Sequence, residues 1–375
     1  MKIIIAPDKF KGSLTSFEVC QAVAAGITNA DVSAQALLFP MADGGDGFAA
    51  VMKHYLGTET VDSFTIDPIG RKIKGSYEWD AKRSAAIIEM AVSSGLVLLQ
   101  AQERNPLKTS TYGTGLLIKD AFAKGVKKII LGLGGSATND AGTGILAALG
   151  FRFSDPNGIA LAGSGENLPK IERIIAPVDF PKIKFEIACD VQNKLYGPHG
   201  AAYVYARQKG ANDEQIKVLD EGLKHFAGIL KKDTGTEVGD IPGTGAAGGI
   251  AAGLMGYFDV ALKKGIDLVM QASEIKKEMK GADLLITGEG KIDAQTLAGK
   301  VVSEVSLLAS QYKIPVVAFC GTAELNKLQF TQLGLQSVQT LVGPSISKEK
   351  ALANAREILT NKVSEFFKQG LANGL

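Results

Sequence analysis

Histidine and cysteine are scarce, three of each in 375 residues, and there is one tryptophan. His54, His199 and His225 lie too far apart for ligand spacing, so a zinc site or a Ser-His-Asp hydrolase has no support. Cys20, Cys189 and Cys320 are odd in number and widely separated, which reads as buried thiols in a reducing compartment. Charge excess is also missing: 41 Lys+Arg against 39 Asp+Glu gives a formal +2, so nothing calls for nucleic acid or an anionic membrane. No apolar run reaches the length of a membrane span, and the nearest, from Gly248 to Phe258, is glycine-rich and stops at Asp259. The N-terminal Ile3-Ile4-Ile5 run is too short for a signal peptide and meets Pro7 and Asp8 at once. The expectation is a cytoplasmic protein with small-molecule partners, its oligomeric state open and a homodimer among the options. With 46% hydrophobic residues, the chain has material for two domains with substantial cores.

Glycine is plentiful, and its densest use organises the chain. Ile129-Ile130-Leu131 reads as a buried strand, Gly132-Leu133-Gly134-Gly135-Ser136-Ala137-Thr138-Asn139-Asp140 as a turn, and Ala141, Ile145, Ala148 and Leu149 recur at helical spacing. Such a turn aims backbone N–H groups of Gly134 and Gly135 and a helix dipole at one point. Ser136, Thr138 and Asn139 add side-chain donors, so the expectation is a phosphate cradle. It is not a P-loop, since no Gly-Lys-Ser/Thr closes it. Gly132, Gly134 and Ala137 also fit a relaxed dinucleotide fingerprint, with Phe151-Arg152-Phe153 as the next strand and Asp155 as its ribose acid. An NAD-dependent oxidoreductase therefore stays open at this point, as does a glycine-rich connection that only lets a helix pack on a sheet. The turn is similar to the phosphate loop of galactokinase-type kinases, with Lys127 and Lys128 where those loops carry a proline.

Along the chain, Ile3–Ile5 and Ala36–Phe39 read as strands around a helix opened by a Thr15/Glu18 capping box. Asp8, Lys9 and Lys11, and then Asp43 and Asp46 around two glycines, follow those strands. Loops at the carboxyl ends of parallel strands are where ligands bind. Segments 61–66, 72–79 and 85–88 read as an antiparallel ribbon, and 185–189 as a strand ending at Asp190. The glycine-rich 240–256 stretch suits either close backbone packing or a ligand-facing loop. Strands near 283–286, 315–319 and 338–341, with helices at 295–311 and 348–367, restore regular alternation. The predicted class is α/β with two domains. A discontinuous doubly wound parallel sheet spans 1–60 plus 283–375, and a mixed α/β domain carrying the glycine turn spans 61–282.

Five motifs combine: Ile5 to Thr15 (Ile-Ala-Pro-Asp-Lys-Phe-Lys-Gly-Ser-Leu-Thr), Ala42 to Gly47 (Ala-Asp-Gly-Gly-Asp-Gly), Gly132 to Asp140, Cys189-Asp190-Val191, and Thr287 to Asp293 (Thr-Gly-Glu-Gly-Lys-Ile-Asp). Together they resemble the bacterial glycerate kinase family across almost the whole chain. That resemblance implies a flavodoxin-like part, an inserted part resembling restriction endonucleases, and ATP-dependent phosphorylation of D-glycerate. Phosphoryl transfer needs two positioned anions, Mg²⁺ and charge neutralisation. Under this reading Asp190, Asp293 and Lys9 are the catalytic candidates. Lys9, Lys11, Asp43, Asp46 and Lys291 are given to substrate; Gly134, Gly135, Ser136, Thr138 and Asn139 to ATP phosphates; Asp190, Asp293 and Glu289 to the metal. The expected product is 2-phosphoglycerate, ahead of the 3-isomer. A non-catalytic sugar-acid sensor is the remaining alternative.

Overall fold

A computed structural model describes residues 1–179 and 182–372. Its first unit comprises Met1–Asp43 and Ile266–Leu375, its second Gly44–Gly265. The exchange points thus fall at 43/44 and 265/266 rather than at 60/61 and 282/283. The helix Phe48–Leu56 accounts for the first difference. It buries Phe48, Val51 and Met52, packs on strands Lys72–Asp80 and Ala85–Glu89, and gives its Ala49 N–H to Glu89 Oε1 at 2.7 Å, all within the second unit.

In the first unit, strands Gln35–Leu38, Lys2–Ile5, Leu284–Ile292, Val316–Ala323 and Leu335–Thr340 lie side by side in that order, all parallel. In sequence order this is 2-1-3-4-5, the flavodoxin-like arrangement, whose ligand crevice opens at the carboxyl ends of the strands. Ile3, Ile4 and Ile5 are fully buried, as a central parallel strand with both faces covered requires. The Ser16–Asn29 helix begins at the expected capping box, with Glu18 N–H on Thr15 Oγ1 at 3.3 Å and Thr15 N–H on Glu18 Oε2 at 2.9 Å. Such a cap contributes about 1 kcal/mol. The C-terminal helical stretch is divided at Asn354 into Lys348–Ala353 and Ala355–Ala372.

The second unit carries a six-stranded sheet. Asp259–Lys263, Lys184–Ala188, Lys128–Gly132 and Ala85–Glu89 are parallel, and Lys72–Asp80 and Glu59–Ile66 extend them as the expected antiparallel ribbon. Arg152–Ser154 does not join this sheet. It pairs antiparallel with Ala160–Leu161 and Arg173–Ile175 in a separate small sheet. The dinucleotide reading required it to be the next parallel strand, so that reading fails on topology.

The glycine-rich 240–256 segment is packing material. A Cβ on Gly248 would lie 2.3 Å from the Thr138 carbonyl oxygen, and one on Gly253 only 1.9 Å from that of Ala141. Alanine ordinarily gains about 1 kcal/mol over glycine inside a helix. At Gly253 that gain is outweighed by overpacking against backbone, so Gly253→Ala is expected to destabilise the chain by about 1–3 kcal/mol. The check is a lowered urea midpoint with an unchanged slope.

Candidate active site

Within the first unit, acids gather where strands Lys2–Ile5, Gln35–Leu38 and Leu284–Ile292 end. The Asp8 N–H donates to the Gly288 carbonyl at 2.8 Å, and the Lys9 N–H donates to Asp8 Oδ1 at 2.7 Å. Burial, and then the like charge of Asp43, pushes Asp8 up to about 7, while Lys9 pulls it back. Burial likewise pushes Glu289 up to about 7, against the Thr296 hydroxyl, which donates to its Oε1 at 2.6 Å, and against Lys300. Asp43 and Asp293 add like charge to Glu289. Carboxylates this close and this buried hold their charge poorly unless a cation joins them.

Asp293 is braced differently. Burial acts to raise its pKa, but the Gln295 N–H, 2.9 Å from Oδ1, and Lys291 outweigh burial and hold it below the usual range. It shapes the loop that brings Thr296 to Glu289. Lys291, expected to meet substrate, is instead ion-paired with Glu324 at 2.8 Å and with Asp293 at 3.4 Å, and is half-exposed. Lys9 is half-buried, and Lys11 is exposed with its backbone N–H close against Gly290.

Within the second unit, three loops converge where its parallel strands end. Gly44, at φ +92°, leaves room for Ala188 and Asp190: a Cβ there would sit 2.9 Å from Ala188 Cβ and 3.4 Å from Asp190 Oδ2. A Cβ on Gly134 would reach within 2.5 Å of Gly45 Cα. Asp190 is half-buried, and its Oδ1 accepts the Gly265 N–H at 3.0 Å. The neighbouring Cys189 thiol is spent on the Val191 carbonyl at 3.3 Å, and burial pushes it up to about 11, which makes it an inert structural group. Asp46 is exposed and does not cap the Phe48–Leu56 helix, whose N-cap is Gly47 in a left-handed conformation.

The glycine turn departs from its sequence reading in two respects. The helix after it, Thr143–Ala148, has six residues, and its first-turn donors are already taken. Asp140, fully buried, accepts the N–H groups of Gly142 and Gly144 and both the N–H and hydroxyl of Thr111, while the Ile145 N–H goes to Thr111 Oγ1. The helix dipole is therefore not aimed at a ligand. Thr138 and Asn139 are also fully buried, so their side chains are not presented as surface donors. Thr138 Oγ1 and both amide atoms of Asn139 have no hydrogen-bond partner among the described residues. The presented part is Gly134, Gly135 and Ser136. Here Leu96 N–H donates to the Gly135 carbonyl at 2.8 Å and Ala137 N–H to the Ser94 carbonyl at 2.9 Å. That pairing leaves the N–H groups of Gly134, Gly135 and Ser136 outside the ladder.

Beneath the turn lies a residue that sequence reasoning missed. Lys209 is 2% exposed, and its Nζ donates to Ser136 Oγ at 2.7 Å and to the Thr138 carbonyl at 2.6 Å. Burial pushes its pKa down to about 7, while the Asp140 carboxylate pulls it up. Nothing in Arg207-Gln208-Lys209-Gly210 distinguishes it from a surface lysine. Asp8 did stand inside a quoted motif, so its signal was present.

The glycerate kinase family model matches residues 3–369. The chain belongs to the glycerate kinase family. Among curated relatives, the glycerate kinase of Halalkalibacterium halodurans is 42% identical over 360 residues, covering 95% of each chain. The glycerate 2-kinase of Escherichia coli is 40% identical over 326 residues, covering 86% of this chain and 85% of that one. A crystal structure of a Salmonella typhimurium LT2 chain assigned as glycerate kinase 2 superposes with a TM-score of 0.86 at 37% identity, covering 100% and 99% of the two chains. The five motifs that carried the sequence resemblance all lie within the span of the family match.

Proposed function

We propose that the protein transfers the γ-phosphoryl group of ATP to the 2-hydroxyl of D-glycerate, with Mg²⁺, giving 2-phosphoglycerate and ADP. What carries this reading is the family match over residues 3–369, together with strand-end loops that supply an acid cluster and a glycine turn. The glycerate 2-kinase among the relatives favours the 2-hydroxyl over the 3-hydroxyl.

The residues fit Mg²⁺ in one respect. Among those described, no three His, Cys, Asp or Glu side chains are grouped to enclose a metal on their own. Mg²⁺ however takes one or two carboxylates and completes its shell with phosphate and water, and Asp8 and Glu289 are buried acids short of positive charge. These two would hold the ion. Bound there, Mg²⁺ would supply positive charge to offset that of the transferring phosphoryl group.

The chain's own side chains do the remaining work. The Gly134, Gly135 and Ser136 N–H groups and the Ser136 hydroxyl hold phosphate oxygens. Lys9, with Lys11, meets the glycerate carboxylate, and Asp46 takes the hydroxyl that does not react. Asp190 takes the proton from the attacking oxygen, with its orientation fixed by the Gly265 N–H. Thr138 and Asn139 support the turn from inside, and Asp293 braces the Glu289 loop. Three free, buried cysteines fit a reducing cytoplasm. No described helix is long and apolar enough to cross a membrane.

The test couples the reaction to enolase. ADP release that depends on D-glycerate, with phosphoenolpyruvate formed without an added mutase, is the expected result. Phosphoenolpyruvate that appears only with a mutase means the 3-phosphate product. No glycerate-dependent ADP, with binding of glycerate alone, returns the sensor reading.

A further inference from the structure

We propose that Lys209 is a positioning residue for phosphoryl transfer, which donates to Ser136 Oγ and the Thr138 carbonyl from beneath the glycine turn and thereby turns the Ser136 hydroxyl outward as a donor to the nucleotide. This rests on the reading that the turn takes ATP phosphates. An ammonium has only donors, so the Lys209 contact at 2.7 Å uses a lone pair of Ser136 Oγ, and the serine hydrogen must point to a different acceptor. Without that constraint a serine hydroxyl rotates freely and can equally present a lone pair, which repels an anion. The second contact, at 2.6 Å to the Thr138 carbonyl, fixes the same ammonium to the backbone two residues on. Lys209 thus sets both the hydroxyl and the curvature of Ser136–Thr138.

The lysine is itself held in place. It ends a single 3-10 turn, Arg207–Lys209, whose C-cap Gly210 has φ +98° and packs so closely on Arg104 that a Cβ would lie 2.3 Å from the Arg104 carbonyl oxygen. The Asp140 carboxyl, itself pushed up by burial, favours the charged form of Lys209. That carboxylate is fixed by Thr111, Gly142 and Gly144, so it does not compete for the exposed side of the turn. A fully buried lysine is uncommon unless paired and hydrogen-bonded. Here Lys209 is hydrogen-bonded twice within the turn, once to its half-buried serine.

The experiment compares wild type, Lys209→Met, Ser136→Ala and the double variant by steady-state kinetics, with ATP and D-glycerate varied separately. Lys209→Met is expected to raise the KM for ATP about tenfold, the scale of one charge-assisted hydrogen bond, and to leave the KM for glycerate within about twofold. Ser136→Ala is expected to do the same, and the double variant to be no worse than the poorer single one, because both remove the same oriented hydroxyl. A Lys209→Met variant with an intact melting transition and an ATP KM within about twofold of wild type overturns the proposal, as do additive effects in the double variant. If Lys209→Met does not fold, Ser136→Ala decides: it leaves the lysine in place, and an unchanged ATP KM overturns the proposal. A wild-type chain with no glycerate-dependent ATP turnover defeats the kinase reading instead, which separates the two failures.

Discussion

Asp190→Asn is expected to lower turnover by about 10²–10⁴-fold while leaving the melting transition near that of wild type. The amide keeps an oxygen for the Gly265 N–H, so the loop retains its anchor, and the size of the group that packs against Gly44 is unchanged. What is lost is the ability to take a proton. Because that ability matters only as the hydroxyl attacks, kcat falls and the KM values for ATP and glycerate change little. The measurement is initial rate at saturating substrates across a range of Mg²⁺. A rate restored by raised Mg²⁺ would move Asp190 from proton acceptor to metal ligand, and near-normal turnover would mean that another acid takes the proton.

Asp8→Asn should have the second-largest effect, and it acts on activity and stability in opposite directions. The asparagine oxygen still accepts the Lys9 N–H, so the turn after the first strand persists. One negative charge leaves a buried group that also contains Glu289 and Asp43. Losing a charge-assisted contact of about 1.5–3 kcal/mol should raise the Mg²⁺ concentration for half-maximal rate about ten- to a hundredfold. Without Mg²⁺, burial and neighbouring like charges make it costly to ionise both Asp8 and Glu289 in the wild type at about pH 8. The variant removes that repulsion and should melt at a higher temperature than the metal-free wild type. Added Mg²⁺ should stabilise the wild type more than the variant. A variant with unchanged Mg²⁺ dependence and a lower melting temperature would show that Asp8 is a structural acid and not a ligand.

Much of the architecture was legible because it depends on local pattern. The buried Ile3–Ile5 run, the Thr15/Glu18 box and the paired strands around Asp67-Pro68-Ile69-Gly70 each announce themselves within a few residues, and each is present. The five-stranded parallel sheet built from both ends of the chain also follows from counting strands and helices. Where the reading erred, the deciding contact lies far away in sequence. Whether Phe48–Leu56 sits with one unit or the other depends on the face its apolar residues find, and the helix alone does not carry that information. Thr138 and Asn139 look like surface donors in a glycine turn; the covering residues, around Gly248, come more than a hundred positions later. Lys209 is the extreme case, since its partner Ser136 is 73 residues away and its own neighbours are ordinary.

The parallel pairing of Ile3 with Leu284 has a consequence for how the chain is made. Those residues are 281 positions apart, so at a synthesis rate of about 5–20 residues per second the first strand waits roughly 15–60 s for its neighbour. Gln35–Leu38 is available early and covers one edge of it. The other edge of this strand, which carries three consecutive isoleucines on its two faces, stays open while Gly44–Gly265 emerges as a continuous segment with its own core. A nascent chain of this protein therefore carries a strongly apolar strand with one unpaired edge through most of its synthesis, and that interval is when a chaperone on the ribosome has the most to protect.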